Sequence, residues 1–309
     1  MRTVLNYVQA WYSGLPCFFK TIHKKTLIRL AIQKSGRLSE DSLALIRECG
    51  IDLPDTKNKL RCVAHNFPVE ILFLRDDDIP GYVADGTADL GIVGLNVVEE
   101  TRKPVEVAER LGFGTCRLSI AVPKTFEWTG LEALNNKRIA TSYPNVLQDF
   151  LENAKISASI HEISGSVEIA PGIGLADAIC DLVSSGGTLL SNGLKEVQVI
   201  LQSEAVIIRD TALSPEKTAL LDQLKFRIRS VHRARNFKYI LLNAPNEQVP
   251  AVIRLLPGMK SPTVLPLALS GWSSVHSVIQ EDQFWEVIEG LKAAGAQGIL
   301  VVPIEKMIL

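Results

Sequence analysis

The sequence predicts an α/β protein with mostly parallel sheets. From Leu27 onward, short runs rich in β-branched residues alternate with amphipathic helical stretches, a pattern typical of strand–helix–strand units. The last 70 or so residues follow another order, strand–helix–strand–strand–helix–strand, and are expected to form a separate unit. With 309 residues, 47% of them hydrophobic, the chain has room for two or three domains with sizeable cores.

Strands and helices alternate through the larger, N-terminal part of the chain. The first strand is expected over Leu27–Ile32. Ser39 is expected to cap the next helix, because acids occupy its first turn and Gly50 is typical of a helix end. Ser214 followed by Pro215 is typical of the start of a later helix. The other expected strands are short β-rich runs: Val69–Leu74, Leu90–Gly94, Arg117–Val122, Lys137–Thr141, Ser159–Ile163, Ala178–Val183 and Ala205–Arg209.

The C-terminal unit contains two helices with the same hydrophobic spacing. Apolar residues recur at i, i+3, i+4 and i+7 from Val249 and again from Phe284. Four strands are expected around these helices, at Tyr239–Asn243, Thr263–Leu269, Ser274–Ile279 and Gly298–Val302. This order predicts the ferredoxin-like βαββαβ arrangement, which suits a docking or effector role.

Residues 1–25 differ in composition from the remainder of the chain. They contain no Asp or Glu and four Lys or Arg residues, and Asn6, Gln9 and Ser13 interrupt their apolar runs. These interruptions argue against the unbroken core of a secretory signal. An acid-poor transit peptide and an upstream extension of the folded unit both fit the composition, and we expect the extension.

Charge and cysteine usage exclude several function classes. The 33 Lys and Arg residues nearly balance the 34 Asp and Glu residues, so no broad basic surface for nucleic acid is expected. Prolines interrupt the longest uncharged stretch, 261–280, so no membrane span is expected. The five cysteines and five histidines are scattered, which argues against a disulfide framework and a structural zinc site. A reducing, cytoplasmic location is therefore expected.

The segment Ser184–Thr188 is the most informative stretch for function. Its Ser-Ser-Gly-Gly-Thr sequence follows an expected strand and precedes a helical stretch, so its backbone N–H groups and hydroxyls can converge on a phosphate. Asp177 and Asp181 lie four residues apart and would share one face of the strand, where carboxylates suit ribose hydroxyls or Mg²⁺. A capped surface turn with solvated acids is the competing interpretation, and the residues alone leave both open.

Three further segments carry candidate binding groups. Lys34 and Arg37 flank a Gly turn after the first strand, which fits ligand binding at a strand end and equally fits a charged surface loop. Arg75 precedes three consecutive acids, which we interpret as capping a negatively charged helix start, with Arg75 as the reactive-site candidate. The hydroxyl-rich segment 141–143 leads from a strand into a helix. Since covalent-catalysis motifs are lacking, an enzyme of this sequence would work by positioning and charge stabilisation.

In these segments the sequence resembles the long form of ATP phosphoribosyltransferase, the first enzyme of histidine biosynthesis. The family pattern is matched, with every spacing kept, at Glu168, Gly174, Ala176, Ile179, Asp181, Leu182, Ser185, Gly186, Thr188 and Leu189. Other family stretches match at 33–38, 75–81, 88–92, 138–144, 261–264 and 299–301. The resemblance covers about residue 27 to the C-terminus.

The resemblance implies a two-lobed catalytic core like a periplasmic binding protein, followed by a histidine-binding regulatory domain. The implied boundaries are 1–26 for the extension, 27–116 for the first lobe, 117–195 for an inserted second lobe, 196–235 for the return to the first lobe, and 236–309 for the regulatory domain. The implied reaction joins ATP to phosphoribosyl pyrophosphate with Mg²⁺, giving N1-(5-phospho-β-D-ribosyl)-ATP and pyrophosphate. Mg²⁺ would be held through substrate phosphates, with no protein ligand assigned.

The resemblance also assigns roles to residues. The expected catalytic cations are Lys34, Arg37 and Arg75. Phosphoribosyl contacts are expected from Glu168, Asp177, Asp181, Ser184, Ser185, Gly186, Gly187 and Thr188. ATP contacts are expected from Ser35, Gly36, Thr141, Ser142 and Tyr143. Histidine, the feedback inhibitor, is expected between regulatory domains of neighbouring subunits at Met259, Thr263 and Gly298, in a protein that exchanges between dimers and hexamers. A non-catalytic two-lobed binding protein or regulatory paralogue is the alternative.

Overall fold

The structure is a computed structural model that describes residues 26–57, 59–256, 258 and 260–308. Nearly all of the expected N-terminal extension, 1–26, lies outside the described residues, and so does Met259. The described chain builds three sheets of six, five and four strands. Within it, no helix is long and apolar enough to cross a membrane.

The first lobe is built on the six-stranded sheet. Its elements are β1 (Ile28–Gln33), α1 (Arg37–Glu48), β2 (Arg61–Val63), β3 (Val69–Leu74), α2 (Ile79–Ala84), β4 (Leu90–Gly94), α3 (Leu95–Thr101), β5 (Val105–Arg110) and, later in the chain, β11 (Ala205–Asp210) and α6 (Pro215–Arg235). The strand order is β2-β3-β1-β4-β11-β5. Strand β1 is parallel to both β3 and β4, so these three strands end at the same edge of the sheet.

Alternation along the strands covers both faces of this sheet. Leu30 and Ile32 of β1 belong to a core formed with α1 and α6, whereas Ala31 belongs to a core formed with α2 and α3. All three residues are at most 1% exposed, and burying a Leu or Ile side chain contributes about 1.5–3 kcal/mol. The two-sided burial fixes the positions of the loops at the strand ends.

The second lobe is built on the five-stranded sheet. Its elements are β6 (Cys116–Pro123), β7 (Arg138–Thr141), α4 (Pro144–Ala154), β8 (Ser159–Glu162), β9 (Ala178–Val183), α5 (Gly187–Ser191) and β10 (Leu194–Ser203). The strand order is β10-β6-β9-β7-β8, with β7 parallel to both β8 and β9. The carboxyl ends of β7, β8 and β9 therefore also lie at one edge.

Two pairs of neighbouring strands carry the chain between the lobes. The chain leaves the first lobe between β5 and β6 and returns between β10 and β11. Because the outgoing and returning strands lie side by side, β10 runs antiparallel to β6 and β11 antiparallel to β5. The two-lobed α/β core is confirmed, but the expectation of mostly parallel sheets was wrong, since both sheets are mixed.

One domain boundary also needs correction. Strand β10 pairs with β6 through Ser203, so the second lobe extends to that residue and does not end at 195. The return to the first lobe begins with β11 at Ala205. The sequence of β10 carries Lys195, Glu196 and Gln198, and its pairing contains two register irregularities, so no regular apolar alternation marked it as a strand.

The first helix begins earlier than expected. Helix α1 starts at Arg37, directly after Gly36, whose φ of 93° suits glycine. Ser39 lies inside the first turn and is buried, so it does not cap the helix. The Gly turn, and not the serine, sets the start of this helix. The later prediction at Ser214 is confirmed, because its hydroxyl accepts a hydrogen bond from the Lys217 N–H at the start of α6.

The C-terminal domain has the predicted ferredoxin-like order. Its elements are β12 (Phe237–Pro245), α7 (Val249–Leu255), β13 (Thr263–Pro266), β14 (Trp272–Gln280), α8 (Glu281–Ala293) and β15 (Gln297–Pro303). The four strands form an antiparallel sheet ordered β13-β14-β12-β15. The buried Leu242, Val252 and Leu291 join this sheet to its two helices in one core.

Candidate functional site

The carboxyl ends of the parallel strands in both lobes face a common cleft. Ligands of open α/β sheets bind at such edges, outside the carboxyl ends of the strands. A cavity of about 780 Å³ lies here, lined by Asp76 and Asp77 after β3, by α3, and by Ser142, Tyr143 and Ser164 of the second lobe. The cavity therefore brings two predicted segments together, the acids that follow Arg75 and the hydroxyl-rich segment 141–143.

The predicted phosphate loop lies at the end of β9. Residues Ser184–Gly186 form the turn, α5 begins at Gly187, and a pocket of about 290 Å³ is lined by residues 182–189 together with Glu168 and Asp181. Gly186 has a φ of 80°, a conformation that favours glycine. Ser184, Ser185 and Thr188 are exposed, so their hydroxyls are free to reach a ligand. The loop has the predicted form, and its ligand stays a prediction.

An ion pair behind the loop holds its first residue. Arg117 of β6 donates through Nη1 to the carbonyl oxygen of Ser184 at 3.1 Å. Its Nε and Nη2 atoms donate to the two carboxylate oxygens of Glu196, each at 2.5 Å. This pairing raises the pKa of Arg117 and lowers that of Glu196. The backbone of the loop is thus fixed to β6 and β10 of its own lobe.

Glu168 and Asp181 are the two carboxylates that line the pocket at the loop. Burial raises the pKa of Asp181, the Leu182 N–H partly offsets this by hydrogen bonding, and the charge of Glu168 raises it further. A carboxylate in this state is costly to keep ionised without a partner. The site therefore favours a ligand that donates hydrogen bonds to Asp181 or brings positive charge to it.

Asp177 does not belong to this pair, contrary to the sequence prediction. Strand β9 begins at Ala178, so Asp177 precedes the strand, and four residues of extended chain separate it from Asp181 by about 13 Å. Its carboxylate pairs with Arg138, with Nη2–Oδ1 and Nε–Oδ2 distances of 3.0 and 3.2 Å. These hydrogen bonds lower its pKa to about 2. Asp177 is engaged at the opposite end of β9 from the loop.

The three predicted catalytic cations lie at the carboxyl edge of the first lobe. Lys34 follows β1, Arg37 opens α1 and Arg75 follows β3, and all three are exposed. Hydrogen bonding of the Lys34 N–H to the Leu74 carbonyl oxygen, at 2.8 Å, holds two of these strand ends together. Within the described part of the chain, none of the three side chains forms an ion pair. Their charge is available to an anionic ligand.

The acids that follow Arg75 form a 3-10 turn ahead of α2. No side chain of this turn caps either helix by a hydrogen bond, so the expected capping role is not seen. Burial, together with the charges of Asp76 and Asp78, raises the pKa of Asp77. With Glu100 and Glu162, Asp76 and Asp77 give the cavity between the lobes an acidic lining.

The predicted ATP-binding residues divide into exposed and engaged groups. Ser35 and Gly36 lie exposed in the loop after β1. Ser142 and Tyr143 line the cavity, although the Ser142 hydroxyl already donates to the Ile163 carbonyl oxygen at 2.6 Å. Thr141 is fully buried, and its hydroxyl accepts from the Tyr143 N–H at 2.9 Å, so a direct contact with ATP is excluded in this arrangement.

Sequence reasoning missed the residues that join the two lobes. Asn96, at the start of α3, donates through Nδ2 to the hydroxyl of Tyr143 at 3.1 Å and accepts at Oδ1 from the Ser203 hydroxyl at 2.8 Å. Burial raises the pKa of Tyr143. Glu100 accepts from backbone N–H groups of α4. No motif or spacing marks these residues, because each partner lies more than 40 positions away in the chain.

The predicted effector residues lie on opposite edges of the C-terminal sheet. Thr263 begins the edge strand β13, where it is exposed, and Gly298 lies in the other edge strand, β15, with a φ of 58°. Three strand spacings separate the two edges, about 14 Å. One small ligand cannot contact both residues of the same domain. The third expected residue, Met259, lies outside the described residues.

The described cysteines are placed for packing and not for nucleophilic attack. Cys49, Cys62 and Cys180 are buried, and none of the four described cysteines forms a disulfide. Burial raises the pKa of Cys49 to about 11 and also raises that of Cys116. Thiols in this state are poor nucleophiles, which agrees with a site that acts by positioning and charge.

Comparisons with known proteins identify the family. A family model described as ATP phosphoribosyltransferase matches residues 75–230, and a model of the C-terminal domain of this family matches residues 234–306. An ATP phosphoribosyltransferase of Cytophaga hutchinsonii is 63% identical over 283 residues, which are 92% of this chain and 99% of that protein. One of Phocaeicola vulgatus is 55% identical, over 92% of this chain and all of that protein.

A solved structure matches about two thirds of this chain at lower identity. The ATP phosphoribosyl transferase (HisG:HisZ) complex from Thermotoga maritima contains a chain that is 26% identical, with a TM-score of 0.56. The match covers 66% of this chain and 99% of that one, so about a third of this chain has no counterpart there. From the family models and the two close relatives together, this chain belongs to the ATP phosphoribosyltransferase family.

Proposed function

We propose that this chain transfers the 5-phosphoribosyl group of phosphoribosyl pyrophosphate to N1 of ATP, the first step of histidine biosynthesis. The products are N1-(5-phospho-β-D-ribosyl)-ATP and pyrophosphate. The observation that carries the proposal is the pair of carboxyl edges: a Ser/Gly/Thr loop with two carboxylates lies at that edge of the second lobe, and three cations that form no ion pair with any described residue lie at that edge of the first. The family relationship supports the same reaction.

The chemistry requires positioning more than proton transfer. Adenine N1 carries a lone pair, so it can attack the anomeric carbon without a protein base. The bond from that carbon to pyrophosphate breaks, the carbon acquires oxocarbenium character, and the leaving electron pair goes to pyrophosphate. Preorganised charge around the departing group is the main contribution that the protein can make.

The loop is proposed to hold the 5-phosphate of the sugar. Backbone N–H groups of residues 185–188 and the hydroxyls of Ser184, Ser185 and Thr188 are the donors, as in other phosphate-binding turns. Glu168 and Asp181 are proposed to accept hydrogen bonds from the ribose hydroxyls. This would explain why the site tolerates an Asp181 whose pKa is raised, because hydroxyl donors compensate for its burial.

The cations of the first lobe are proposed to neutralise the leaving group. Lys34 follows β1, Arg75 follows β3 and Arg37 opens α1, and none of the three has a competing carboxylate partner among the described residues. Arginine forks match the oxygens of pyrophosphate or of the ATP phosphates. Ser35, Gly36, Ser142 and Tyr143 remain the candidates for contact with ATP.

Mg²⁺ is proposed to enter with the substrate phosphates. No group of three or more described His, Cys, Asp or Glu side chains is arranged to hold a metal ion. Mg²⁺ bound by phosphates needs only one or two protein carboxylates, and Glu168 and Asp181 at the loop pocket fit that requirement. When bound, the ion would neutralise phosphate charge.

Histidine is proposed as a feedback inhibitor that binds the C-terminal domain. Because Thr263 and Gly298 lie on opposite edges of one sheet, a shared histidine would have to lie between edges of neighbouring subunits. We propose that the protein exchanges between dimers and hexamers. Histidine is proposed to inhibit by shifting this equilibrium, without binding in the cleft between the lobes. We also propose a cytoplasmic location, which the proposed pathway and the four described free cysteines support.

Absorbance-monitored turnover tests the proposal. ATP, phosphoribosyl pyrophosphate and Mg²⁺ are incubated with the full chain, with pyrophosphatase added to draw the reaction forward, and histidine is then titrated to the millimolar range. Turnover that histidine suppresses supports both the transferase and the effector assignment, and turnover without suppression removes only the latter. A folded protein without turnover would refute the transferase and favour a non-catalytic binding protein.

A further inference from the structure

A helix of the second lobe is capped by a side chain of the first lobe. Helix α4 begins with Pro144, and Tyr143 before it provides no side-chain cap. The carboxylate of Glu100, in α3 of the first lobe, takes that place: Oε1 accepts from the Asn145 N–H and Oε2 from the Val146 N–H, each at 3.0 Å. Both N–H groups belong to the first turn, where a helix has no internal acceptors.

The surrounding contacts strengthen the same junction. The side-chain amide of Asn145 donates to the Glu100 carbonyl oxygen at 3.0 Å, and Arg102 donates to Asp149 at 2.6 Å. Asn96, one turn before Glu100, donates to Tyr143 at 3.1 Å. Residues of α3, together with Arg102 directly after it, thus contact the start and the second turn of α4. The Glu100 contacts join the lobes in addition to the two strand connections.

A carboxylate is well suited to this position. It accepts two N–H groups at once, and its negative charge lies at the positive end of the helix dipole. Charge-assisted hydrogen bonds are also stronger than neutral ones. The contact therefore links the lobes by two charge-assisted hydrogen bonds, and Glu100 itself lines the cavity between them.

We propose that Glu100 is a positioning residue whose cap on α4 holds the two lobes at the separation in which both substrates can be bound. The inference rests on the proposed transferase function. Without the cap, the lobes would spend more time apart, and a ligand that needs both lobes would bind only to the remaining competent fraction. The apparent KM rises in proportion, whereas kcat at saturation is kept, because the bound ligands restore the working arrangement.

The test compares Glu100→Ala with Glu99→Ala. Glu99 is the exposed neighbour in the same helix and forms no hydrogen bond or ion pair with any described residue, so it is a matched control. Amide hydrogen exchange of segment 144–154 reports the cap directly, and the KM values for ATP and phosphoribosyl pyrophosphate report its consequence. We expect faster exchange in E100A, both KM values raised about 5- to 10-fold, unchanged kcat, and wild-type behaviour of E99A.

Glu100→Gln extends the test to a milder change. The amide oxygen of this variant can accept a hydrogen bond from one of the two N–H groups, so its KM values should lie between those of the wild type and E100A. If E100A fails to fold, the Glu100→Gln variant still tests the proposal. Unchanged KM values in a folded Glu100 variant, or a loss in kcat alone, would overturn the proposal. Wild-type protein without turnover would refute the proposed function and, with it, the kinetic role of Glu100. The exchange data would still show whether Glu100 caps α4.

Discussion

Asp177 accepts three hydrogen bonds from Arg138: from its backbone N–H at 2.9 Å, from Nη2 at 3.0 Å and from Nε at 3.2 Å. The pair joins the start of β9 to the start of β7, its parallel neighbour. It therefore lies at the amino edge of the second sheet, whereas the Ser184–Thr188 loop lies at the carboxyl edge. This separation assigns a structural role to Asp177 and leaves the ligand pocket to Asp181 and Glu168.

Asp181→Asn should stabilise the fold at neutral pH. The pKa of Asp181 is raised, chiefly by burial, so the native state holds the proton more tightly than the unfolded state. The raised pKa therefore contributes to the free energy of unfolding below the ordinary Asp pKa. That contribution is lost as the pH rises through the pKa of Asp181 in the folded protein. An uncharged amide removes the resulting penalty, and we expect a gain of about 1 kcal/mol at pH 7.5.

Thermal unfolding of both proteins at pH 7.5 and at pH 5 measures this effect. The advantage of the Asn variant should shrink toward the lower pH, where the native carboxyl begins to take up its proton. If the variant is less stable than the wild type at both pH values, groups within the protein already offset the cost of burying the Asp181 charge, and no ligand is needed for that.

Arg75→Ala should lower kcat about 10²- to 10³-fold with the fold intact, because one preorganised charge on the leaving group is removed. Steady-state kinetics together with circular dichroism measure this. Arg233→Ala is the matched control, since Arg233 is an exposed arginine of α6 that forms no ion pair within the described chain. An unchanged kcat in folded Arg75→Ala protein would remove this residue from the catalytic group.

Lys217→Met should destabilise the first lobe by about 2–3 kcal/mol. Lys217 in the first turn of α6 pairs with Asp89 at 2.6 Å, and the Asp89 side chain is only 6% exposed. Removing the Lys217 cation leaves the buried carboxylate with the Arg29 backbone N–H at 2.7 Å and the more distant Arg29 Nε at 3.8 Å. Urea unfolding measures the loss. Lys225→Met, which breaks only the surface pair with Asp222, should cost less than about 0.5 kcal/mol; equal losses would contradict this account.

Thr263→Val should weaken histidine inhibition without changing uninhibited turnover. The substitution keeps the β-branched shape that suits the edge strand β13 and removes only the exposed hydroxyl. We expect the histidine concentration for half inhibition to rise about 10- to 100-fold, as for the loss of one hydrogen bond to a charged ligand. Inhibition curves measured beside Ser261→Ala provide the comparison. An unchanged curve would place histidine elsewhere.

The sequence predicted those parts of the site that local chain chemistry determines. The phosphate loop requires a glycine at Gly186 and hydroxyls beside it, and those residue types are visible in the sequence. The C-terminal domain was equally predictable, because each of its helices carries its own apolar spacing and the order of elements specifies the sheet. Both features depend on neighbours within a few positions.

Other parts of the site depend on partners that are distant in the sequence. The spacing of Asp177 and Asp181 suggested a shared face, but it could not show that Arg138, 39 positions away, engages the first of them. Strand β10 was missed because its own sequence has no regular apolar alternation, and the strand is formed by pairing with β6. The cap of α4 by Glu100 crosses between lobes, and no local pattern encodes such a contact.

Turnover of Asp181→Asn beside Asp177→Asn tests the central claim most directly. The two variants make the same chemical change at opposite ends of β9, only one of which lies at the loop pocket. If the site lies at the carboxyl edge, kcat/KM for phosphoribosyl pyrophosphate should fall about 10- to 100-fold in Asp181→Asn, as for a lost charged hydrogen bond, and should be preserved in Asp177→Asn. Equal losses in the two folded variants, or a larger loss in Asp177→Asn, would contradict the placement of the site.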